Sequence, residues 1–540
     1  MNAKNVYRPI AAVFLLTLLV RVLSAVPITQ PGYMDAYYYY DIALNLHHGR
    51  GFVEDFVWNY LELPGDVTHA SNLFWMPLSS IMVYPFFLLL GSSYRTAQLP
   101  FVLTSALLSP LTYWLSYQLS NNRRHAFTAA ALVTFSGFYT PYWVAVDSFA
   151  PFAMTGSLCL LVMHYGLSTG RRGYFLMVGI LAGLSHLARA DGIILLVVVL
   201  VLLAWKVMSR DTPNRGQASI LSLALLLGGY LLIMAPWFGR NWRTMGTLLP
   251  GGGIKTVFLQ TYDDIFSFSK ELSMEQFLAE GWQTILASRA RAAWHNLLTL
   301  AGGLHFFLFP LALLGLWQGR RYPIFHPPLL YLAFLYLAMS LIFPFPGIRG
   351  SMLHSATALL PFLAAAVPAA LDQVVAYGKR LRPNWELATA QPFFAAGAVG
   401  LAAAFSLLIY VQSVFPTQSE KAVLLPWNQR FLFYQEVGDH LQDLKGGEAP
   451  VMVVNPPAYF YFTGRPAIVI PNDGLEATLA AASRYGATHL ILQWDHPRWL
   501  SALYRGQTTY PSLKLQDTLD DAWQRPVFIY EIVTSLDRFQ

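Results

Sequence analysis

Charged residues are scarce in this sequence: only 12% of its 540 residues are Asp, Glu, Lys or Arg, whereas a soluble domain carries roughly 25%. This shortage excludes an ordinary soluble enzyme. The excess of positive charge is also small, a formal +6 over the whole chain, which excludes the basic surface of a nucleic-acid-binding protein. Cysteine occurs once, as Cys159 inside an apolar run, so no intramolecular disulfide can form.

Hydrophobic residues make up 55% of the chain and are arranged in long runs of the length that a membrane-spanning helix needs. We predict a polytopic α-helical membrane protein with about 11 transmembrane helices, at residues 9–27, 99–119, 126–142, 149–167, 174–187, 192–205, 220–236, 297–317, 329–343, 356–371 and 392–411. A further apolar stretch, 73–91, begins around Met76-Pro77 and is interrupted by Pro85, so we interpret it as a re-entrant or surface helix.

Basic residues predict how the chain is oriented, because short cytoplasmic loops are enriched in Lys and Arg. With a cytoplasmic N-terminus, alternate loops collect 14 basic residues on the inner side: Lys4, Arg8, Arg123, Arg124, Arg171, Arg172, Lys206, Arg210, Arg215, Arg320, Arg321, Lys379, Arg380 and Arg382. This pattern requires an odd number of spans. We therefore expect a multi-pass protein of the inner (plasma) membrane whose C-terminal tail is extracytoplasmic.

Three segments outside the predicted spans are long enough to carry function. Two are outer loops, at 28–98 and 240–290, within a transmembrane domain at 1–411. The third is the tail, 412–540, where strand-like runs at 451–454, 467–470, 489–493 and 527–532 alternate with helix-like stretches such as 475–485. This alternation predicts a small extracytoplasmic α/β domain.

Two acidic residues stand out because they follow the outer ends of predicted spans. Asp35 belongs to the run Met34-Asp35-Ala36-Tyr37-Tyr38-Tyr39-Tyr40-Asp41, and Asp147 follows the third span. Acids from two different helices can meet at the outer surface and act in proton transfer or metal binding. The alternatives are an interfacial belt of tyrosines with a solvated acid, and a helix N-cap at Asp147.

Cations gather at the same predicted surface. Arg189 lies close to Asp191, Arg240 and Arg243 alternate with Trp237 and Trp242, and Arg349 precedes His354. Guanidinium groups at this depth suit an anionic headgroup, although ordinary lipid anchoring is the alternative. His69 in the first outer loop is a further candidate ligand for phosphate or metal. No His-Glu-x-x-His or Cys-x-x-Cys spacing marks a transition-metal site.

Taken in order, these features resemble the GT-C fold of integral membrane glycosyltransferases, which includes the aminoarabinose transferases of lipid A and the protein O-mannosyltransferases. The resemblance covers roughly 9–371. It rests on Met34-Asp35-Ala36-Tyr37 after the first helix, Met76-Pro77-Leu78, Asp147, Leu187-Ala188-Arg189-Ala190-Asp191-Gly192, and Pro236-Trp237 with Arg240-Asn241. Two departures are that Asp35 is followed by Ala36 rather than a second acid, and that Trp75 stands where aminoarabinose transferases have a Lys.

The resemblance implies a hexosyl- or pentosyltransferase that moves a sugar from a polyprenyl-phosphate donor to a lipid, glycan or protein acceptor on the outer face, with inversion. By position, Asp35 is the general base, with Asp147 as a second catalytic acid. The donor phosphate is expected at Arg240, Arg243, Arg349, His354 or His69. Asp35 and Asp147 would also hold a divalent metal ion (Mg, Mn or Ca) if one takes part.

Three other functions remain open at this point. A secondary transporter would need ionisable residues near the bilayer midplane, whereas here the acids cluster in outer loops. An oligosaccharyltransferase would share the fold but needs a Trp-Trp-Asp motif, and Gln493-Trp494-Asp495 lacks the paired tryptophans. A lipid-binding protein with an inactive site would differ only in an assay. The sequence names neither the donor sugar nor the acceptor.

Overall fold

The computed structural model describes residues 4–208, 215–345, 347–415, 426–442 and 449–533, which leaves the predicted cytoplasmic residue Arg210 outside the described part. The chain is mainly helical. Its α-helices are Lys4–Ala25, Met34–His47, Leu78–Leu90, Tyr94–Ala106, Leu108–Ser120, Arg123–Thr134, Phe149–Thr169, Arg172–Ala188, Ile193–Met208, Arg215–Met245, Gly252–Lys255, Met274–Ala279, Trp282–Gly303, His305–Gly319, His326–Leu337, Ser351–Ser355, Leu360–Leu381, Leu387–Val414, Phe433–Gln442, Pro456–Thr463, Leu475–Tyr485 and Ser501–Tyr504.

Seven helical segments in the described part of the chain are long and apolar enough to cross a bilayer, and an eighth span arises if one bent helix pair is counted as one crossing. The seven are Arg8–Ala25, Tyr94–Ser120, Phe149–Thr169, Ile220–Met245, Pro323–Ile342, Ser351–Leu381 and Leu387–Val414. These confirm a polytopic α-helical membrane protein. The exact number of 11 spans stays a prediction. Leu78–Leu90 is a short apolar helix with Pro85 inside it, and it is not among the seven spans.

Two predicted spans have a different shape in the structure. The segment expected to run straight through 297–317 is broken at Leu304, where Trp282–Gly303 and His305–Gly319 meet at 95°. His305 at the break has a φ of 49°, which is the left-handed region. The span expected at 126–142 is helical only to Thr134, after which the chain forms short 3-10 turns up to the acid Asp147.

The tail forms the small α/β domain that its sequence predicts. Its sheet has six strands, of which five belong to the tail: β4 (Val451–Val453), β5 (Ala467–Val469), β6 (His489–Leu492), β7 (Leu513–Asp520) and β8 (Pro526–Ile532). With β2 (Phe56–Val57) the strand order is β2-β5-β4-β6-β8-β7. The first four strands are parallel to one another, and β8 is antiparallel to both of its neighbours, β6 and β7.

The sixth strand comes from the first outer loop, so the sheet joins the two predicted domains. β2 (Phe56–Val57) pairs in parallel with β5, with Phe56 opposite Ala467. In the same loop, β1 (Val53–Glu54) and β3 (His69–Ala70) form a separate antiparallel pair. Because hydrogen-bonded strands must lie on one side of a membrane, the loop 28–98 and the tail share a side, and an even number of crossings separates them.

The helix Met34–His47, which we call the tyrosine helix, lies in the interior between the transmembrane part and the tail domain. Its residues Tyr37 to Tyr40 are between 0% and 5% exposed. Tyr37 packs against Phe431 and Tyr461 of the tail, while Tyr40 packs against Phe87 and Tyr94 of the transmembrane part. The alternative of an interfacial tyrosine belt is therefore wrong, because the outer loops and the tail cover these rings.

Candidate active site: a cluster of two acids and a histidine

Asp35, Asp147 and His354 converge from three distant parts of the sequence. Asp35 is on the first turn of the tyrosine helix, Asp147 lies two residues before the helix Phe149–Thr169, and His354 is near the start of the span Ser351–Leu381. One potential ligand atom from each lies within 4.8 Å of those of the other two. The structure thus brings the two predicted acids together and adds His354, which the sequence suggested only as a phosphate ligand. We call these three residues the acid cluster.

Hydrogen bonds fix Asp147 in this position. The Tyr33 hydroxyl donates to its Oδ2 atom at 2.7 Å, and the backbone N–H and hydroxyl of Ser148 donate to its Oδ1 atom. His354 Nε2 lies 3.4 Å from the Oδ2 atom, and its ring stacks on Phe149 with centroids 4.0 Å apart. The N-cap alternative for Asp147 is wrong, because the N-cap residue of the following helix is Ser148 and no side chain caps it.

The two carboxyls have opposite electrostatic environments. Burial raises the pKa of Asp35 to about 8, and the charge of Asp147 adds to this shift while Arg189 opposes it. Burial alone would also raise the pKa of Asp147, but His354 and the hydrogen bonds from Tyr33 and Ser148 stabilise its ionised form and hold that pKa below the ordinary value. The surroundings of Asp147 therefore favour its ionised form, whereas those of Asp35 favour its protonated form.

Arg189 supplies positive charge beside the acid cluster. The sequence indicated Arg189 as one of the outer cations but assigned it no part in catalysis or phosphate binding. It forms an ion pair with Asp191 at 3.2 Å, as the sequence suggested, but its other nitrogens donate to the hydroxyls of Ser148 and Ser351, each at 3.1 Å. These two serines are neighbours of the acid cluster in sequence. Only the fold reveals this arrangement, because Ser351 belongs to a helix far along the chain.

The other acid of the tyrosine run, Asp41, is not a member of the acid cluster, as expected for residues six apart on a helix. Its side chain is buried and its Oδ2 atom has no hydrogen-bond partner in the described residues. Burial, together with the nearby charge of Asp55, raises the pKa of Asp41 well above its ordinary value. The surroundings of Asp41 thus favour its protonated form.

The predicted phosphate-binding arginines have different surroundings. Arg240 donates to the backbone carbonyls of Phe52 and Ser71 at 3.1 and 2.8 Å and lies 4.8 Å above the Trp237 ring, so it ties the first outer loop to the end of a span. Arg243, one turn further, is exposed. Arg349 pairs with Asp263 at the surface of the second outer loop.

Among the described residues, the side-chain partner of Arg349 is Asp263 and not a member of the acid cluster. Burial raises the pKa of Tyr262 in the second outer loop; Asp35 adds to that shift, and Arg349 and Arg189 oppose it.

His69 is bound within the first outer loop. Its Nε2 atom lies 2.9 Å from Glu54, and its Nδ1 atom lies 2.8 Å from the carbonyl of Val67. Burial acts to lower the pKa of His69, but the contacts with Glu54 outweigh it and raise the pKa. Through its contact with Glu54, His69 links strand β3 to strand β1.

An apolar pocket of about 540 Å³ lies in the transmembrane part. The bent helix pair forms one wall through Gly302 and His305, and Phe405 of the last span, which is 44% exposed, lies at its open side. Leu353, the residue before His354 in sequence, also lines the pocket, whereas the three residues of the acid cluster do not. The apolar lining suits a hydrocarbon chain.

Comparison with known proteins agrees with this architecture. Residues 76–239 match the sequence profile of the family described as dolichyl-phosphate-mannose-protein mannosyltransferase. No curated protein matches the chain in sequence. The described fold is that of the GT-C integral membrane glycosyltransferases, which confirms the resemblance predicted from the sequence.

The fold is shared with one solved membrane protein over nearly the whole length. The crystal structure of ArnT from Cupriavidus metallidurans bound to undecaprenyl phosphate has a TM-score of 0.56 and 15% sequence identity, with 99% of both chains covered. The apo structure of the same protein has a TM-score of 0.57 and 14% identity, again with 99% of both chains covered. At this identity the likeness establishes the fold, tail domain included.

Proposed function

We propose that this protein is a glycosyltransferase that moves a sugar from a polyprenyl-phosphate donor to an acceptor on the outer face of the inner membrane. The observation that carries the proposal is the acid cluster, in which a carboxyl of raised pKa lies beside an ionised one. The apolar pocket of the transmembrane part, which Leu353 helps to line, supports a lipid-linked donor. The ArnT structure with undecaprenyl phosphate supports the same class of lipid.

In this proposal Asp35 is the general base. Its carboxylate accepts the proton of the acceptor hydroxyl while the hydroxyl oxygen forms a bond to the anomeric carbon. The bond from that carbon to the phosphate oxygen breaks, and polyprenyl phosphate leaves. A single displacement of this kind inverts the anomeric centre. Asp147 stays ionised, and its negative charge keeps the proton affinity of Asp35 high.

The departing phosphate needs positive charge. We assign this electrostatic role to Arg189, which donates to Ser148 beside Asp147, and to Arg349, whose charge acts on Tyr262 together with that of Arg189. Arg243 is exposed at the end of its span and suits the approach of an anionic headgroup. Arg240 donates to loop carbonyls and is assigned to positioning the loop.

The acid cluster also fits a divalent cation. Asp35 and Asp147 offer oxygen atoms and His354 offers a nitrogen, and the buried His354 Nε2 atom lacks a hydrogen-bond partner in the described residues. A cation held by these three would supply Lewis-acid stabilisation of the phosphate. The donor sugar, hexose or pentose, and the acceptor, lipid, glycan or protein, are left to experiment.

The test begins by comparing the lipids and surface glycans of cells with and without the gene by mass spectrometry, which identifies the sugar and the acceptor. The purified chain is then assayed with that donor and compared with its Asp35→Asn variant. We expect a loss of turnover of about 100-fold or more, because a positioned general base contributes that much. Asn has the same shape and no charge, so the unfolding temperature should be unchanged or higher.

The matched control is Asp520→Asn, an exposed acid at the end of β7, which should keep full turnover. Near-normal turnover of the Asp35→Asn variant would show that another group accepts the proton. No difference in lipids or glycans between the two strains, together with substrate uptake into vesicles, would favour the transporter instead.

A further inference from the structure

The tail residues just after Pro426 lie against the loop that leads into the tyrosine helix. The Trp427 indole N–H donates to the Gln30 carbonyl at 3.0 Å. Asn428 donates to the Pro27 carbonyl at 2.7 Å and accepts from the Thr29 N–H at 2.9 Å. Trp427 is only 2% exposed. This contact is separate from the sheet that joins the tail to the outer loop.

Gly32 makes room for the indole ring. Its φ is 81°, a conformation that side chains rarely adopt, and a Cβ atom at this position would lie 2.2 Å from the Trp427 Nε1 atom. The Trp427 indole can therefore lie against the backbone here only because Gly32 has no side chain. A chain with any other residue at position 32 would have to move either the indole or the loop.

Tyr33, the residue after Gly32, contacts both Trp427 and the acid cluster. The rings of Tyr33, Trp427 and Tyr142 contact one another, with centroid distances of 5.3 Å (Tyr33–Trp427), 5.4 Å (Tyr33–Tyr142) and 5.5 Å (Tyr142–Trp427). A tyrosine ring has only two side-chain torsions, so holding its plane fixes its hydroxyl. That hydroxyl is the one that donates to Asp147 at 2.7 Å.

We propose that Trp427 is a positioning residue for the acid cluster, acting through Tyr33 on Asp147. The proposal rests on the proposed function for its main readout, because it states that transfer depends on a residue of the tail. The simpler alternative is that Trp427 only fastens the tail to the outer loop. The two differ in what a substitution changes: the orientation of Asp147, or the general stability of the protein.

A double-mutant cycle in the full-length protein separates them. The variants are Trp427→Ala, Tyr33→Phe and their combination, assayed for turnover and for the donor Michaelis constant. We expect each single variant to lose about tenfold in kcat, since a hydrogen bond to a charged group is removed or misplaced. The donor Michaelis constant should change less than twofold. The combination should lose no more than Tyr33→Phe alone.

Two further variants serve as controls. Trp427→Phe keeps a ring beside Tyr33 and should recover most of the kcat that Trp427→Ala loses. Trp499→Ala removes a half-buried indole that donates to the Pro471 carbonyl inside the tail domain, and it should leave kcat unchanged even if the tail loses stability. Independent, multiplicative losses for Trp427→Ala and Tyr33→Phe, or an equal loss in Trp499→Ala, would overturn the proposal.

The unfolding temperatures of the same variants provide a readout that does not need the reaction. The effects of Trp427→Ala and Tyr33→Phe should again be non-additive, because the hydroxyl reaches Asp147 only while the indole holds the ring. A wild-type chain that transfers no sugar would overturn the proposed function and leave this second cycle to decide about Trp427. Additive shifts in that cycle would overturn the positioning role.

Discussion

At the scale of single residues, the two neighbouring carboxyls differ because their hydrogen bonds differ. Asp147 accepts three hydrogen bonds and faces His354, so its charge is stabilised where it lies. Asp35 lacks comparable support and is desolvated. Such a division of environments is how enzymes assign proton transfer to one carboxyl and charge stabilisation to the other.

This division predicts how turnover depends on pH. Only the deprotonated form of Asp35 accepts a proton, so kcat/KM should rise with pH and level off above about 8, the raised pKa of that carboxyl. Below this value the rate should fall about tenfold per pH unit. The measurement is initial rates from pH 5.5 to 9.5 in the presence of a chelator.

Saturation with a divalent cation should move the midpoint to lower pH, since a bound cation stabilises the carboxylate. The residual rate of the Asp35→Asn variant should not follow this profile. If the wild-type rate instead falls as pH rises through 8, the essential group must be protonated, and Asp35 would act as a general acid and not as the base.

The sequence predicted the two acids of the site but not the position of Arg189 beside them. Asp35 and Asp147 could be chosen because each follows the outer end of a span, and this local signal places them on one surface. The sequence could not predict that Arg189 lies beside the acid cluster, because its ion pair with Asp191, two residues later, is already a sufficient explanation for its charge. Its contact with Ser351 depends on the packing of spans that are far apart in sequence.

At the scale of helices, Arg21 explains why the third predicted span ends early. This arginine lies within the first span and is 0% exposed. It donates to the carbonyls of Thr134 and Val133 at 3.0 and 3.2 Å, and its guanidinium lies 5.6 Å from the Trp143 ring. These donors satisfy the free carbonyls at a helix end, so the backbone can leave the helix inside the protein.

We therefore predict that Arg21→Leu destabilises the protein. Each carbonyl left without a partner in the interior costs about 1–3 kcal/mol, so the unfolding temperature in detergent should fall clearly. Arg21→Lys should be intermediate, because one amine reaches fewer carbonyls than a guanidinium. Arg171→Leu, at an exposed position between two helices, is the control and should have little effect. Equal stability of Arg21→Leu and the control would show that water or another donor satisfies Thr134.

The elements of the tail were the most predictable part of the fold. The helix Leu475–Tyr485 and strands β4, β5, β6 and β8 lie within one residue of their predicted ends, because short buried strands carry compact apolar runs. Strand β7 was missed: it is largely exposed and carries a charged residue at every third position, Lys514, Asp517 and Asp520. For the tyrosine helix the sequence left an interfacial belt open as an alternative, since the burial of this helix depends on covering elements that the local sequence does not show.

At the scale of the whole molecule, the pairing of β2 with β5 constrains the topology. The first outer loop and the tail share one side of the membrane, so the total number of spans is odd if the N-terminus is on the other side. This parity is the one that the basic loops predict. Which side is outside follows from the 14 basic residues alone.

Chemical labelling tests this orientation, and the chain suits it because its single cysteine, Cys159, is buried. A Gln507→Cys variant places an exposed thiol in the tail, and a Ser168→Cys variant places one in a predicted cytoplasmic loop. In intact spheroplasts, a membrane-impermeant maleimide should label the first and not the second, which should react only after lysis. The wild-type chain is the background control. Labelling of the second variant alone would invert the topology.

The pairing of β2 with β5 also has a consequence for biosynthesis. Translation delivers the tyrosine helix and β2 early, whereas β5 and Trp427 emerge about four hundred residues later, so the contacts between them form only when the ribosome has nearly finished. Until then the outer loop presents an unpaired strand edge, kept harmless by its length of two residues. With Trp427 in its proposed role, a nascent chain reaches its full rate of transfer only after the tail has docked on the outer loop.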